Sequence, residues 1–72
     1  MQYAVVIERE GASFGAYVPD LPGCIAVGES EAEALALIRE GIALHLEAMR
    51  EDGEPIPEPR AHVGYVEVAR AA

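Results

Sequence analysis

Residues 17–28, with the sequence YVPDLPGCIAVG, place the strongest constraint on how this chain can fold. Pro19 and Pro22 lack a backbone N–H donor and fix φ, so a sheet ladder cannot run through them. Gly23 can adopt backbone conformations that other residues avoid, and the Asp20 side chain can accept hydrogen bonds from amides of its own turn. The stretch therefore predicts a tight corner between two β-strands.

Alternating apolar residues on both sides of this corner predict three strands. Residues 2–8 and 13–18 are rich in β-branched and aromatic side chains, and a short polar turn with Gly11 joins them into a hairpin. Residues 25–27 form a third short strand that Gly28 ends. The side chains predicted to share a face within each strand are Tyr3, Val5 and Ile7, then Phe14, Ala16 and Val18.

The next segment carries both end signals of a helix. Ser30 and Glu33 are spaced as a capping box, in which the serine hydroxyl accepts from the Glu33 amide and the Glu33 carboxylate accepts from the Ser30 amide. Gly53 and Pro55 mark the other end, so one helix is predicted over residues 31–52. The side chains predicted to cover the sheet are Leu35, Ile38, Ile42, Leu46 and Met49.

The predicted back of this helix is apolar, although a solvated face usually carries charge. It contains Ala34, Leu37, Gly41, Leu44 and Ala48. Hydrophobic residues make up 51% of the chain, more than one helix on one face of a small sheet readily hides, and surplus apolar surface usually forms an interface. We therefore predict a homo-oligomer with Leu37, Gly41 and Leu44 as self-association residues, although isolated exposed leucines also occur in monomers.

The C-terminal part returns to an extended pattern. Residues 54–60, EPIPEPR, have proline at every second position and predict a polyproline-like linker. Residues 62–68 alternate again and predict a fourth strand. The expected fold is α+β, with the order β-β-β-α-β, a small antiparallel-rich sheet and one long helix on one face. We expect one domain over residues 1–72, without a C-terminal DNA-binding domain.

The charge of the chain limits the classes of molecule that it can bind. With 13 acidic residues against five arginines, the formal net charge is −8, which repels phosphate backbones and predicts no direct nucleic-acid binding. A basic protein is therefore the expected partner.

Cys24 is the only cysteine, so it has no intrachain disulfide partner and fits a reducing compartment. No apolar run is long enough to span a bilayer, and no signal peptide is recognised, so we predict a cytoplasmic protein without membrane contact.

Groups that could support catalysis are scarce. His45 lies beside the predicted buried stripe, and no cation lies near Cys24 in the sequence to lower its pKa. Glu8, Asp20 and Glu67 could converge at strand ends as a Mg²⁺ site, although nothing in their spacing requires it. The sequence therefore predicts a protein that is not an enzyme and has no cofactor and no metal. A residual Mg²⁺-dependent nuclease is the least favoured alternative.

The corner, the short strand after it and the capped helix together resemble the signature of the HicB-like antitoxin family. Residues 53–59, GEPIPEP, are similar to the linker of that family, and the resemblance covers nearly the whole chain. The residues that carry the structural motif are Asp20, Leu21, Pro22, Gly23, Cys24, Ser30 and Glu33.

This resemblance implies a partial ribonuclease H-like β-β-β-α-β fold that lacks the usual catalytic carboxylates of that fold. It also implies binding to a HicA-type toxin, a small basic mRNA interferase with a catalytic histidine. Full-length antitoxins of the family generally add a DNA-binding segment, which is not found in residues 1–72, so autorepression is not carried over.

We accordingly expect an antitoxin domain that covers the active site of its toxin. Glu8, Glu10 and Asp20 are the candidate toxin-contact residues, because an acidic surface suits a basic partner. The alternative is a homo-oligomeric regulatory or structural domain without a toxin.

Overall fold

A computed structural model describes residues 1–71; Ala72, the end of the predicted tail, lies outside the described residues. The elements in chain order are β1 (Val6–Glu10), β2 (Ser13–Tyr17), β3 (Ile25–Gly28) and α1 (Glu31–Glu51). The strands form an antiparallel sheet in the order β1-β2-β3, and α1 packs against it. The prediction of an α+β fold, with three strands followed by one long helix, is confirmed.

The strand register fixes which side chains meet the helix. Ile7 pairs with Ala16, and Ala16 pairs with Ala26. Because opposite residues of an antiparallel pair share a face, this row lies on one side of the sheet, and the burial of Ala16 shows that it is the side facing α1. The predicted alternation is confirmed: Tyr3, Val5, Ile7, Phe14, Ala16 and Val18 all belong to the core or pack against it.

The predicted corner is observed between β2 and β3. The Val18 amide donates to the Cys24 carbonyl at 3.2 Å, and the Leu21 amide donates to the Val18 carbonyl at 3.0 Å. Gly23 has a φ of 86°, in the left-handed region that glycine adopts without a Cβ penalty. The Leu21 side chain is fully buried, so the corner is closed by backbone bonds and fixed by a core residue.

Both ends of α1 are capped. The Ser30 hydroxyl accepts from the Glu33 amide at 3.0 Å, as predicted. The Glu33 carboxylate, however, accepts from the Glu29 amide at 3.2 Å and not from that of Ser30. At the other end, Gly53 has a φ of 71°, and its N–H and that of the next residue donate to carbonyls of the last turn, as in a Schellman motif. The helix therefore ends at Glu51, one residue before the predicted end.

The helix is rotated relative to the predicted stripe. Ala34 and Ile38 are fully buried, whereas Leu35 is 44% exposed. Gly41 also faces inward, because a Cβ at this position would lie 3.8 Å from the Cys24 Sγ atom. The prediction that Ala34 and Gly41 lie on the back of the helix is therefore wrong, and so is the predicted burial of Leu35.

A backbone contact accounts for this rotation. A Cβ at Gly28, the last residue of β3, would lie 2.7 Å from the Ala34 nitrogen and 3.1 Å from its Cα. The end of β3 and the first turn of α1 thus touch backbone to backbone, which turns Ala34 toward the sheet. The helical periodicity then carries Ile38 and Gly41 to the same side.

The predicted fourth strand is not formed. Residues 54–71 contain no helix or strand, and the side chains of residues 62–71 are all exposed. The Cα radius of gyration is 14.5 Å, against about 11 Å for a compact chain of this length. Residues 62–71, called the C-terminal arm below, lack a neighbouring strand, and a strand without hydrogen-bonded neighbours is not stable.

We predict that Gly28→Ala destabilises the protein by about 1–3 kcal/mol, because the new methyl group meets backbone atoms that cannot rotate away. Urea unfolding at one fixed protein concentration measures this change. Gly15→Ala is the matched control, since a Cβ at Gly15 has only the Glu8 carbonyl oxygen nearby, at 4.0 Å. Equal losses in the two variants would contradict the proposed contact.

At Gly41, in contrast to Gly28, we predict that substitution by alanine stabilises the protein. Gly41→Ala should raise the free energy of unfolding by about 0.5–1 kcal/mol, because alanine favours the helix and its Cβ only reaches ordinary contact distance. Gly41→Leu should lower it by about 1–3 kcal/mol, because the larger side chain meets Cys24. Stabilisation by both substitutions would show that Gly41 faces solvent.

Candidate partner-binding site

The helix covers one side of the sheet, and the opposite side has no covering element among residues 1–71. This side is called the outer sheet face. Val6, Tyr17 and Ile25 form one cross-strand row on it, and Glu8, Gly15 and Val27 form the next. The outer sheet face therefore comprises Val6, Glu8, Glu10, Ser13, Gly15, Tyr17, Ile25 and Val27.

The outer sheet face has an apolar floor. Ile25 is 71% exposed and Val27 is 65% exposed, and Tyr17 beside them is also exposed. Gly15, in the middle of the central strand, has no side chain to fill the space between its neighbours. A groove of about 230 Å³ results, lined by residues of all three strands.

Acidic side chains border this floor on the β1 side. Glu8 and Glu10 line the groove and are exposed. The structure thus brings together two of the three predicted toxin-contact residues, next to apolar side chains. This combination of a desolvatable apolar floor and a charged rim is the usual anatomy of a protein–protein interface.

Asp20, the third predicted toxin-contact residue, lies apart from this groove. Its Oδ2 atom accepts from the Arg60 amide at 2.9 Å and from the Ala61 amide at 3.0 Å. The hydrogen bond from Ala61, followed by that from Arg60, lowers the pKa of the Asp20 carboxyl. Asp20 therefore ties the linker to the corner, and its contact with a toxin stays a prediction.

Another hydrogen bond holds the same linker. The Tyr3 hydroxyl donates to the Pro57 carbonyl, and burial, ahead of the charges of Glu58 and Asp20, raises the Tyr3 pKa. The linker is thus held at two points, one on the corner and one on the N-terminal segment. Residues beyond Ala61 begin from a fixed place beside the sheet.

The predicted self-association residues do not share one exposed surface. Leu37 and Leu44 are exposed on α1, Leu44 at 67%. Gly41 between them faces the core, so it does not create a close-approach site for another helix. Self-association through Leu37 and Leu44 stays a prediction.

The structure offers no assembled reactive centre in the part of the chain that it describes. Cys24 is buried, and burial raises the pKa of its thiol, which favours the unreactive protonated form. His45 is half-buried on α1. No group of three or more His, Cys, Asp or Glu residues within 1–71 could hold a metal ion, so Glu8, Asp20 and Glu67 do not form a metal site.

No helix within these residues is both long and apolar enough to cross a membrane.

Comparison with known sequences identifies the family of this chain. The sequence model of the HicB-like antitoxin of bacterial toxin-antitoxin system matches residues 3–69. The chain belongs to the HicB-like antitoxin family. The predicted family resemblance is therefore confirmed.

A solved structure is similar to this HicB-like chain in both fold and sequence. It is a chain of a HicA3 and HicB3 toxin-antitoxin complex, with a TM-score of 0.70 and 32% sequence identity, and the match covers 82% of this chain and 70% of that one. The similarity thus extends over most of this chain and links its fold to a toxin-antitoxin complex.

Related proteins occur in a phage and in a cellular organism. The uncharacterized 14.9 kDa protein in the rep-hol intergenic region of Haemophilus phage HP1 is 35% identical over 66 residues, which are 92% of this chain and 50% of that protein. A UPF0150 protein of Thermoplasma acidophilum is 37% identical over 62 residues, 85% of this chain and 90% of that protein. The HicB-like chain thus spans half the length of the phage relative.

The sequence reasoning did not identify Tyr17, Ile25 and Val27 as partner-binding candidates. A signal was present, because Ile25 and Val27 are apolar at alternate positions and so point to the face opposite Ala26 and Gly28. One helix covers only one side of a sheet, so apolar residues on both sides of β3 already indicated an uncovered apolar face.

The tie between Asp20 and the linker should depend on pH. Because the charged carboxylate accepts the two amides more strongly than the protonated carboxyl does, the added stabilisation is complete above the ordinary carboxyl pKa and is lost as the pH falls through the lowered folded pKa. We expect the NMR amide shifts of Arg60 and Ala61 to titrate below the ordinary value of 3.8.

Asp20→Asn is the control for this titration, since its side chain keeps an acceptor oxygen but has no carboxyl proton to gain. Both amide shifts should then stay constant through the acid range. Amide shifts that titrate equally in Asp20→Asn would assign the effect to another group.

Proposed function

We propose that this HicB-like protein is a non-enzymatic antitoxin that binds a basic HicA-type mRNA interferase and covers its active site with the outer sheet face. The observation that carries the proposal is the uncovered apolar floor with its acidic rim at Glu8 and Glu10. Family membership and the similarity to a chain of a HicA3 and HicB3 complex support the choice of partner.

The apolar floor would supply most of the binding free energy. The side chains of this floor project from paired strands, on which Tyr17, Ile25 and Val27 lie. Their backbones therefore lose little conformational freedom when a partner docks. Tyrosine is also enriched among the residues that dominate protein interfaces, because it buries a large apolar area and keeps a polar end. A toxin side chain placed over Gly15 would displace water from the groove.

Charge would govern how fast the complex forms. The net charge of −8 attracts a basic toxin over a distance of about one Debye length, roughly 8–10 Å at physiological salt. Glu8 and Glu10 would then orient the partner toward the groove, since rim charges mainly affect the association rate and the choice of partner.

Inhibition by coverage needs no reacting group on the antitoxin. A toxin with a catalytic histidine is blocked when the surface around that histidine is buried, because its RNA substrate can no longer enter. This is consistent with the buried, protonated thiol of Cys24. Such an antitoxin would act in the cytoplasm, where mRNA is translated.

A homo-oligomeric regulator without a toxin is the second candidate. The exposed leucines on α1, Leu37 and Leu44, favour it, because a partner that packed on this side of the helix would bury both. Leu44→Glu would dissociate an oligomer built through this face and leave toxin binding through the outer sheet face unchanged.

Co-expression with a HicA-type toxin tests the antitoxin proposal. We expect the protein to restore growth and to co-elute with the toxin in gel filtration at moderate salt. Failure of both would sink the proposal. Tyr17→Ala should reduce rescue, and the control Tyr17→Phe, which keeps the ring, should largely retain it.

The acidic rim gives a quantitative prediction. Glu8→Lys combined with Glu10→Lys should lower the association rate constant for the toxin by about 10–100-fold at low salt, and added salt should shrink the difference. Stopped-flow mixing measures the rate.

Glu40→Lys combined with Glu47→Lys is the matched control, because it changes the net charge equally on the exposed side of α1. Its effect on the association rate should be clearly smaller. If the two double variants slowed association equally, total charge and not the outer sheet face would control encounter.

A further inference from the structure

Three sequence-based expectations fail around residues 1–5, the segment that leads into β1, which is an edge strand of the sheet. Residues 2–5, predicted as the start of the first strand, have no strand partner, and the C-terminal arm has none either. Leu35, predicted to be buried, is 44% exposed. Residues 1–5, Leu35 and the start of the arm line one groove of about 620 Å³, called the edge groove below.

Residues 2–5 lack a partner for a geometric reason. β2 ends at Tyr17, which pairs with Val6, and the chain then turns away at the corner. The β1–β2 ladder therefore ends at Val6, and no residue of β2 pairs with the residues before it. Tyr3 and Val5 nevertheless pack against the core, so this segment is already held in place directly before β1.

The C-terminal arm has the sequence of a strand but no neighbour. Its large apolar side chains are all exposed, with Tyr65 at 93%. The exposed apolar residues of the arm are Val63, Tyr65, Val66 and Val68. β-branched and aromatic residues at this density favour a sheet, and an arm with this composition gains free energy by pairing.

The exposed area also exceeds that of a compact monomer. The chain exposes 5775 Å², whereas a compact protein of this mass exposes about 4,300 Å². The surplus of about 1,400 Å² is larger than the roughly 800 Å² that each partner buries in a standard stable interface. The arm and the edge groove therefore provide enough surface for a dimer.

The charge distribution is compatible with a second copy as the occupant of the groove. The arm contains one acid, Glu67, and one arginine, Arg70, so it is neutral apart from His62. The net charge of −8 thus resides in residues 1–61. A neutral apolar arm adds no charge repulsion of its own when it lies on another acidic body, whereas a basic partner is drawn to the body.

We propose that the arm of one copy adds as a strand to the free edge of β1 in a second copy, fills its edge groove and covers its Leu35. The same contact made in reverse gives a closed two-fold dimer, because donor and acceptor lie on one chain. The Asp20 tie fixes Ala61 at the point where each arm leaves its own body. The outer sheet face of each copy remains uncovered.

Sedimentation equilibrium of the full chain tests this arrangement with Tyr65→Pro combined with Val66→Pro. Two adjacent positions are changed because backbone N–H groups point alternately to the two sides of a strand, so at least one proline removes a pairing donor. We expect the wild type to be dimeric at micromolar concentration. The proline variant should have a dimer dissociation constant raised by about 100-fold or more, since each dimer contains two altered arms.

Tyr65→Phe combined with Val66→Ile is the control and should remain dimeric, because it keeps strand-forming apolar residues. Both variants should retain the helical circular dichroism of the wild type, since the altered residues are exposed in the single chain. Hydrogen exchange adds a second readout: the amides of residues 2–5 and 62–68 should be protected together, and dilution should remove the protection from both.

Three outcomes would overturn the proposal. A wild-type protein that stays monomeric at micromolar concentration would exclude the exchange of arms between two copies. A proline variant that remains dimeric would show that the dimer interface does not involve the arm. Leu44→Glu would then test whether the interface lies on the side of α1 that carries Leu37 and Leu44. Arm amides that stay protected after dilution to the monomer would show that each arm docks on its own chain.

Discussion

The backbone contact between Gly28 and Ala34 decides how the helix lies on the sheet. Because no Cβ intervenes, the end of β3 passes directly against the first turn of α1. Ala34 is turned inward by this contact, and Ile38 and Gly41 follow on the same side of the helix. Leu35 and Leu44 are left toward solvent, although their hydrophobicity alone would place them in a core.

A single helix on a three-stranded sheet leaves the other side of that sheet without cover. Alternation along β3 directs Ala26 toward α1, and Ile25 and Val27 away from it. The apolar side chains that the helix cannot reach therefore form the floor of the proposed partner-binding surface. Glu8 and Glu10, which share this face because of the β1–β2 register, give it the negative charge on which the proposed binding of a basic toxin depends.

The corner between β2 and β3 links these surfaces to the C-terminal half of the chain. Leu21 anchors the corner in the core, and Asp20 beside it accepts two amides of the residues that follow the linker. The Tyr3 hydroxyl holds the linker at a second point. The same short stretch thus reverses the chain between two strands and sets where the C-terminal arm begins.

The sequence by itself determined the hairpin, the corner and the ends of α1, because proline, glycine and the Ser30 cap act on their own backbone or on residues within a turn. It did not determine the rotation of α1, the partner of Asp20 or the state of residues 62–68. These depend on which distant segment lies alongside: Asp20 meets an amide 40 residues later in the chain, and a strand forms only where another strand offers its free edge. Local signals specify the elements, and only tertiary packing decides which of their faces remain open to a partner.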